Sequence, residues 1–332
     1  MMRGMNTTSR FIVLCYHYLR ESARVDPFPR ILGTKWSDFE EHLRLLRARC
    51  TIISLRDVLS LYGKRRPLPS GRPNVLLTFD DGLAEHRKAA SLLAHLGIRA
   101  VFFVPSCILE DEAPINSAVM HYTIARYGIG AFLEAYAAAL SESGLRDTAL
   151  QLSFEKGKDD PWEKIAEIKR IFKYALPYEH AERITRSIYR ALLLSDMPDI
   201  FSQIHLSVEG LREIVKQGHD IGSHTHSHLS LGAHALTDAS FEREAASSQR
   251  ILEQVTGSSV RSFSYPFGEK NDYRSIEERL ARSGLFDVGF VAEPGLNTVD
   301  TPPLHIARYL VHSSDTPESV YEKVIALEAS IT

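Results

Sequence analysis

Segments typical of buried strands alternate with segments typical of helices along this chain, and this alternation constrains its fold most. An apolar run at residues 75–77 begins a strand pattern, residues 83–96 have a helical pattern that ends at Gly97, and residues 99–104 form the next apolar run. Such a strand–helix–strand unit predicts parallel strands, because the helix carries the chain from the end of one strand to the start of the next. The sequence therefore predicts an α/β fold.

The same alternation recurs elsewhere, and 332 residues are enough for one α/β barrel. Residues 12–16 form an apolar run of strand length. A capping-box pattern at Ser37 and Glu40 predicts a helix that extends to about Arg47. The remaining predictions are helices at residues 208–216, 236–255 and 273–283, and strands at residues 220–222, at Phe263 and at residues 287–291.

Residues 106–205 depart from this alternation. Apolar residues recur at helical spacing among many charges at residues 162–174 and 177–194, so the segment is predicted to be mainly helical. We expect a single barrel over residues 1–332 that carries this insertion. The insertion could be a lid over the active site, a contact in a homo-oligomer or a segment packed on the barrel; a lid is favoured because long insertions between barrel strands often shape substrate access.

Two adjacent carboxylates, Asp80 and Asp81, follow the strand pattern that starts at residue 75. Adjacent half-buried carboxylates repel each other when both are ionised, so such a pair is tolerated mainly where a cation or a shared proton compensates the charge. An Asp-Asp-Gly sequence after a strand is also typical of a solvated turn. The pair is thus a candidate site that needs a source of positive charge.

Three histidines, His224, His226 and His228, alternate with hydroxyl residues after another predicted strand. Catalytic zinc sites typically use three protein ligands of the His, Asp or Glu type and leave one position for water or substrate. Two of these histidines and one aspartate would make such a set, although a histidine run can also be a surface cluster. Because barrel active sites form at the carboxyl ends of strands, the motifs could meet there.

Both motifs resemble a known family. Thr-Phe-Asp-Asp-Gly at residues 78–82 and the His-Thr-x-x-His pattern that starts at His224 resemble the first two signature motifs of the polysaccharide deacetylase family, the NodB homology domain of carbohydrate esterase family four. The resemblance implies a distorted (β/α) barrel. It also implies that Asp81, His224 and His228 bind a divalent metal, usually Zn²⁺, and that Asp80 is the general base. His226 falls on a variable position of the pattern and is left out of the metal shell.

A third motif agrees in part. Residues 263–268 read Phe-Ser-Tyr-Pro-Phe-Gly, which resembles the family's Phe-Arg-x-Pro-Tyr/Phe-Gly, except that Ser264 stands where an arginine orients the catalytic aspartate. The resemblance implies that the backbone N–H of Phe267 helps to hold the oxyanion. Tyr265 and Phe267 are candidates to stack on a sugar ring, and Arg308 is the candidate replacement for the missing arginine, with a plain surface arginine as the alternative.

The general acid is less clearly marked. The family supplies it from a late Leu-x-His motif, and no good copy follows the third motif here; His305 and His312 have the wrong neighbours. The N-terminal apolar run ends in His17, which resembles the circularly permuted branch of the family, in which the acid-bearing strand comes first. His17 is therefore the favoured general acid, with a strand-end core histidine as the competing interpretation.

The combined motifs predict a metal-dependent hydrolase of carbon–nitrogen bonds that removes the N-acetyl group from an acetamido sugar in a glycan or glycoconjugate. Asp80 would take a proton from water, and His17 would protonate the leaving amine. Two alternatives remain: an amide or cyclic-imide hydrolase with a non-sugar substrate, and a catalytically inactive carbohydrate-binding module, since the motif arginine is lost.

Composition limits the partners and the cellular location that we expect for this protein. Thirty-nine basic and 42 acidic residues give a net charge of −3 without a long basic run, which argues against nucleic acid as a partner. The three cysteines, Cys15, Cys50 and Cys107, form no Cys-x-x-Cys pair, which argues against a disulfide scaffold. No segment reaches the roughly 18 apolar residues of a membrane span, and the first apolar run is short for an export signal. A cytoplasmic enzyme is the expectation.

Overall fold

The computed structural model of this protein describes residues 9–110, 113–144 and 161–330. Eleven strands occur within these ranges. They are β1 Arg10–Tyr16, β2 Leu19–Arg20, β3 Thr34–Lys35, β4 Thr51–Ile52, β5 Asn74–Phe79, β6 Val101–Val104, β7 Asp220–Ser223, β8 Ser262–Ser264, β9 Val288–Phe290, β10 Asn297–Thr298 and β11 Tyr309–Leu310.

The described α-helices alternate with these strands, apart from a group between β6 and β7. They are α1 Trp36–Arg49, α2 Leu55–Lys64, α3 His86–His95, α4 Asn116–Glu142, α5 Pro161–Arg170, α6 Tyr178–Ile188, α7 Ile200–Ile204, α8 Val208–Lys216, α9 Asp238–Phe241, α10 Ser248–Thr256, α11 Lys270–Tyr273, α12 Glu277–Ser283 and α13 Pro317–Glu328. Three π-helical segments, Ile171–Ala175, Tyr189–Leu194 and Glu242–Ser247, continue α5, α6 and α9.

The main sheet has nine strands and is curled. Its order is β10-β1-β5-β6-β7-β8-β9, with β4 paired to β5 and β11 paired to β1, and every pairing except β1 with β10 is parallel. Ile306 bridges Phe290 of β9, and β11 begins three residues later beside β1, so residues 306–310 connect the two ends of the sheet. The predicted α/β fold with a distorted barrel sheet is confirmed.

The register of the parallel strands aligns their carboxyl ends. Tyr16 lies opposite Phe79 in the β1–β5 pair, and Val104 lies opposite Ser223 in the β6–β7 pair. Stacked rings reinforce this edge, because the Phe79 ring lies 5.4 Å from that of Tyr16 and 4.7 Å from that of Phe102 between ring centroids. Removing such a buried ring costs about 3–5 kcal/mol. The residues that follow these strands therefore emerge on one well-packed edge.

Two local predictions were wrong. The capping box at Ser37 and Glu40 is absent, because the N-cap of α1 is Lys35 rather than Ser37 and Glu40 instead accepts a hydrogen bond from the Trp36 indole. The helix after the Asp-Asp-Gly turn begins at His86 rather than at Leu83, because the backbone of Leu83 forms a β-bridge with His205. Long-range pairing thus overrides the local helical pattern.

The described part of residues 106–205 is mainly helical. Helix α4 contains a kink at Gly128, whose φ is +83°, and packs against α6. No helix in the described ranges combines the length and the apolar character that crossing a bilayer would require.

Candidate active site

The predicted site residues emerge from neighbouring parallel strands. His17 follows β1, Asp80 and Asp81 follow β5, and His224 follows β7. Because the carboxyl ends of these strands are aligned, the side chains come together at one edge of the sheet, which is the catalytic face of barrel enzymes. The structure therefore brings together groups that the sequence separates by more than two hundred residues.

Asp81, His224 and His228 form a buried cluster that suits a divalent metal. One potential ligand atom from each lies within 4.8 Å of the others. The Asp81 Oδ1 atom is 3.4 Å from Nε2 of His224 and 3.1 Å from Nε2 of His228, yet it is buried without a hydrogen-bond partner. A buried carboxylate oxygen left unpaired between two imidazole nitrogens is the arrangement that a bound cation would satisfy.

Neighbouring groups orient these imidazoles. The Nδ1 atom of His224 lies 2.8 Å from the backbone oxygen of Ser264, so Nδ1–H donates and the Nε2 lone pair faces Asp81. Burial lowers the pKa of His228, which favours the neutral form that binds metal. The donor set of two neutral imidazoles and one carboxylate fits zinc.

Backbone strain is concentrated in the same loops. Asp81, Thr225, His228 and Phe267 are non-glycine residues with φ values of +78°, +62°, +59° and +64°. A left-handed conformation is costly for residues with a Cβ and persists only where surrounding contacts impose it. The fold therefore fixes the backbone directions of two predicted metal ligands and of the motif at Phe267.

Arg308 lies against Asp80. Its Nη1 and Nη2 atoms donate hydrogen bonds of 2.8 Å to Oδ1 and Oδ2 of that carboxylate, and both side chains are buried. Ser264, which stands in the place of the motif arginine, donates to Asp80 Oδ2 over 3.1 Å and accepts from Arg308 Nη2 over 2.9 Å. Burial would raise the pKa of Asp80, but Arg308 holds it well below the usual range. Arg308 is therefore buried against Asp80 and is not a surface arginine. Its role in orienting a catalytic aspartate stays a prediction.

His17 lies at the same site. It lines the cavity above Asp81 and His228, and one of its ring nitrogens lies within 4.8 Å of an Asp80 carboxylate oxygen. The alternatives lie elsewhere: His305 Nδ1 is 2.7 Å from Glu277, and His312 is exposed. Neither is among the residues that line the cavity. The cavity is also lined by His121 of α4 and by His234, and His17 is favoured over them because its ring lies beside the Asp80 carboxylate.

The two aromatic candidates differ. Phe267 is 38% exposed, lines the cavity, and packs against the His228 ring with centroids 4.8 Å apart. Tyr265 is only 1% exposed, and its ring is enclosed by Phe263 and Tyr273. The prediction that Tyr265 stacks on a sugar is therefore wrong, because its ring faces the core behind the site and does not reach the cavity.

Several supporting residues were missed by the sequence analysis. His86 accepts a hydrogen bond from the Leu83 N–H at Nδ1 (3.3 Å), so its Nε2–H donates to the backbone oxygen of His17 (3.0 Å). Glu244 is buried and accepts from the N–H and hydroxyl of Ser227, beside His228. Both fix loops through backbone contacts, and no local sequence pattern distinguishes them from ordinary helix residues.

The His226 ring lies outside the cluster of Asp81, His224 and His228. Its Nδ1 atom is 2.9 Å from the Ser106 hydroxyl, and its backbone oxygen accepts from the Cys107 N–H. The side chain therefore ties the histidine loop to the segment after β6. Its omission from the predicted ligand set agrees with this position.

A cavity of about 480 Å³ lies above the cluster. It is lined partly by barrel residues and partly by the insertion, chiefly α4 and the stretch from α5 into the following π-helix. Representative lining residues are His17, His228 and Phe267 from the barrel, and Met120, Lys169 and Tyr174 from the insertion. A volume of this size suits a small ligand or one sugar unit with its substituents.

Fold and site together define an α/β barrel with a buried His/His/Asp cluster beside an arginine-held carboxylate. Residues 181–283 match the family model described as polysaccharide deacetylase. This match and the shared fold confirm the resemblance to NodB-type polysaccharide deacetylases that the sequence motifs indicated. The circular permutation stays a prediction.

Two solved structures illustrate the fold. The chain is similar to the deacetylase PplD of Streptococcus pyogenes with a TM-score of 0.59 and 14% identity, covering 96% of this chain and 99% of that one. It is similar to a de-N-acetylase from Aggregatibacter actinomycetemcomitans with a TM-score of 0.58 and 14% identity, covering 95% and 100%. Gellan lyase from a Bacillus species is 30% identical over 95 residues, which is 29% of this chain and only 4% of that protein.

Proposed function

We propose that this protein is a metal-dependent hydrolase that removes the N-acetyl group from an acetamido sugar. The observation that carries the proposal is the unpaired, buried Oδ1 atom of Asp81 between the Nε2 atoms of His224 and His228, next to an Asp80 that Arg308 holds in place. The polysaccharide deacetylase match supports a hydrolase of carbon–nitrogen bonds.

The metal proposed for this cluster is Zn²⁺, held by Asp81, His224 and His228. Such an ion supplies a Lewis acid that polarises the acetamido carbonyl and makes a bound water more acidic. Asp80 lies beside this position and would accept the proton of the attacking water. Arg308 keeps that carboxylate ionised and in one orientation through the two 2.8 Å hydrogen bonds. The backbone N–H of Phe267 is the proposed additional oxyanion donor.

His17 is the proposed general acid. It follows β1 and is distant in sequence from the histidine loop after β7, but it lines the same cavity as His228. His86 Nε2–H donates a hydrogen bond to the backbone oxygen of His17, and this contact fixes the turn that carries the His17 ring. Proton transfer from His17 to the departing amine would yield acetate and a free amino sugar.

The cavity supports a terminal or small sugar as the substrate. Residues of the insertion line part of the cavity above the proposed metal ligands, which supports the proposal that the insertion acts as a lid. The contact between Arg308 and Asp80 also favours catalysis over an inactive binding module. Ser264 stands where the family motif has an arginine, and the Arg308 guanidinium takes the place of that missing side chain beside Asp80.

Acetate release tests the proposal. Zinc-loaded protein is incubated with acetylated sugars, and acetate and new primary amines are quantified; we expect equimolar amounts of both. Metal-free protein and the Asp80→Asn variant are the controls, and both should lose activity while the variant still binds zinc. Release of an amine-bearing non-sugar product only, or no acetate from any acetylated glycan, would contradict the proposal.

A further inference from the structure

Four residues of one helical face in the insertion line the wall of the cavity that also contains Asp81 and His228. They are Ala166, Lys169, Arg170 and Lys173, which recur at the three- and four-residue spacing of a helix surface across α5 and the π-helix Ile171–Ala175. Three of the four are basic. The insertion therefore presents positive charge to whatever lies above the site.

Two of these three cations already have carboxylate partners. Lys173 Nζ lies 2.8 Å from Asp272 and 3.0 Å from Glu269, and Arg170 is paired with Glu167 on its own helix. Lys169 has no carboxylate partner in the parts of the chain that the structure describes. Lys169 therefore leaves one uncompensated positive charge on the cavity wall.

The carboxylates at the cavity do not neutralise Lys169. Asp81 faces the imidazoles of His224 and His228, and Glu269 faces Lys173. Lys169 retains access to solvent, yet desolvation by the surrounding walls lowers its pKa. An anionic group beside the ammonium would offset this cost, because opposite charge favours the protonated form.

We propose that the acetamido sugar carries a phosphate group and that Lys169 binds this phosphate at the cavity wall. The inference rests on the proposed deacetylase function and adds the chemical class of its substrate. A phosphate suits this position because an ammonium is a point charge that needs no planar partner, whereas a carboxylate gains more from the forked donors of arginine. The cavity of about 480 Å³ accommodates one sugar with this substituent.

A direct binding measurement tests the inference without relying on turnover. The probe is N-acetylglucosamine 1-phosphate, titrated calorimetrically into zinc-loaded Asp80→Asn protein with and without Lys169→Met. We expect the Lys169→Met change to weaken binding about tenfold or more, as for loss of a hydrogen bond to a charged group. Lys169→Arg should restore most of it, and unchanged binding in Lys169→Met would overturn the inference.

Turnover provides a second readout. In the otherwise unaltered enzyme, Lys169→Met should lower kcat/KM for N-acetylglucosamine 1-phosphate several-fold more than for neutral N-acetylglucosamine. Lys216→Met, which removes an exposed lysine of α8, is the matched control and should leave both values unchanged. Equal losses on both sugars would overturn the inference while the deacetylase proposal stands, and no acetate from either sugar would count against that proposal instead.

Two probes distinguish a phosphomonoester substrate from a diphosphate substrate. UDP-N-acetylglucosamine carries a diphosphate with a bulky nucleoside, whereas the 1-phosphate is compact. A Lys169-dependent preference for the compact probe indicates a phosphomonoester substrate, and a preference for the nucleotide sugar indicates a diphosphate whose remainder extends out of the cavity. Lack of Lys169 dependence with both probes contradicts the inference.

Discussion

The Arg308 guanidinium donates hydrogen bonds of 2.8 Å to both oxygens of the Asp80 carboxylate, across a sequence separation of 228 residues. Arg308 lies in the segment that connects the two ends of the curled sheet, so closure of the sheet places it inside. The orientation of the proposed base thus depends on correct pairing of the last strand segment with the first strand.

Replacing Arg308 by lysine should lower kcat by about ten- to a hundredfold while zinc stays bound, because lysine keeps the charge but cannot make the forked pair of hydrogen bonds. Turnover and zinc content are measured on the same sample. Arg261→Lys, at an exposed pair with Asp287, is the control. Normal kcat in Arg308→Lys would show that the fork does not position the base.

The proposed metal ligands can be separated from their neighbour two residues away. His228→Ala should lose stoichiometric zinc, because one imidazole of the cluster is removed, whereas His226→Ala should retain it, because the His226 ring faces Ser106. Zinc is quantified by mass spectrometry after dialysis. Zinc loss in His226→Ala and retention in His228→Ala would reverse the ligand assignment.

The sequence predicted the alternation of strands and helices because each element carries its own local pattern. Helix α8 was predicted at its observed bounds, Val208–Lys216, since a strongly amphipathic segment lies between Ser207, which caps it, and Gly218. The start of α3 was missed because the β-bridge between Leu83 and His205 is a long-range contact. Local patterns cannot report such pairing.

The residues of the candidate site that belong to sequence motifs could be predicted, whereas those whose position depends on packing could not. The residue types indicated a metal site made of two histidines and one aspartate, and the resemblance to the polysaccharide deacetylase motifs singled out Asp81, His224 and His228. The burial of Tyr265 depends on neighbours from other loops, so its predicted contact with a sugar failed. The contribution of His86 depends on two backbone groups from different turns, which no single segment of sequence reveals.

His86 should position His17. His86→Phe keeps a ring of similar size but removes the hydrogen bonds to Leu83 N–H and to the His17 carbonyl oxygen, so we expect kcat to fall about tenfold with zinc content unchanged. The basic limb of the pH–rate profile should be altered as well, which a purely structural role would not produce.

His219 offers a matched control for His86. It is also buried, also accepts a backbone N–H at Nδ1, from Ala100, and its Nε2–H donates to the Ala90 carbonyl oxygen, but it lies away from the cavity. His219→Phe should therefore lower Tm without lowering the kcat of the folded fraction. Equal kcat losses in the two variants would mean that His86 acts only through stability.

Glu85 should make stability depend on pH. Burial raises its pKa from the ordinary value of 4.5 to about 7, although Arg20 opposes the shift. The raised pKa means that ionising Glu85 costs more in the folded state than in the unfolded state. The contribution of protonated Glu85 to the free energy of unfolding is therefore full below about pH 4.5 and is lost as pH rises towards 7. The total effect is at most about 3 kcal/mol.

Glu85→Gln removes this titration and keeps an acceptor for the Leu19 N–H. The difference in Tm between variant and wild type should therefore move in favour of the variant between pH 5 and pH 8. Thermal unfolding across this range, with Glu41→Gln at an exposed position as control, provides the measurement. A Tm difference that is constant with pH would contradict the raised pKa.

The ion pair between Lys173 and Asp272 should hold the insertion over the cavity. The Lys173 Nζ atom is 2.8 Å from the Asp272 carboxylate, whose side chain is fully buried and also accepts a hydrogen bond of 2.5 Å from the Ser230 hydroxyl. Breaking a buried pair by removing one partner is costly because the other charge stays uncompensated. Lys173→Met should therefore favour states in which the π-helix Ile171–Ala175 moves away from the barrel.

Hydrogen exchange of residues 164–175 measures this opening. Exchange there should accelerate about tenfold or more in Lys173→Met, because a loss of roughly 1.4 kcal/mol changes an opening equilibrium tenfold. Arg170→Met is the matched control, since it removes an exposed pair with Glu167 that contributes little. If both variants exchange at the wild-type rate, the Lys173–Asp272 pair does not hold the insertion in place; acceleration confined to Lys173→Met, together with a raised KM for small acetylated sugars, is the result that a lid requires.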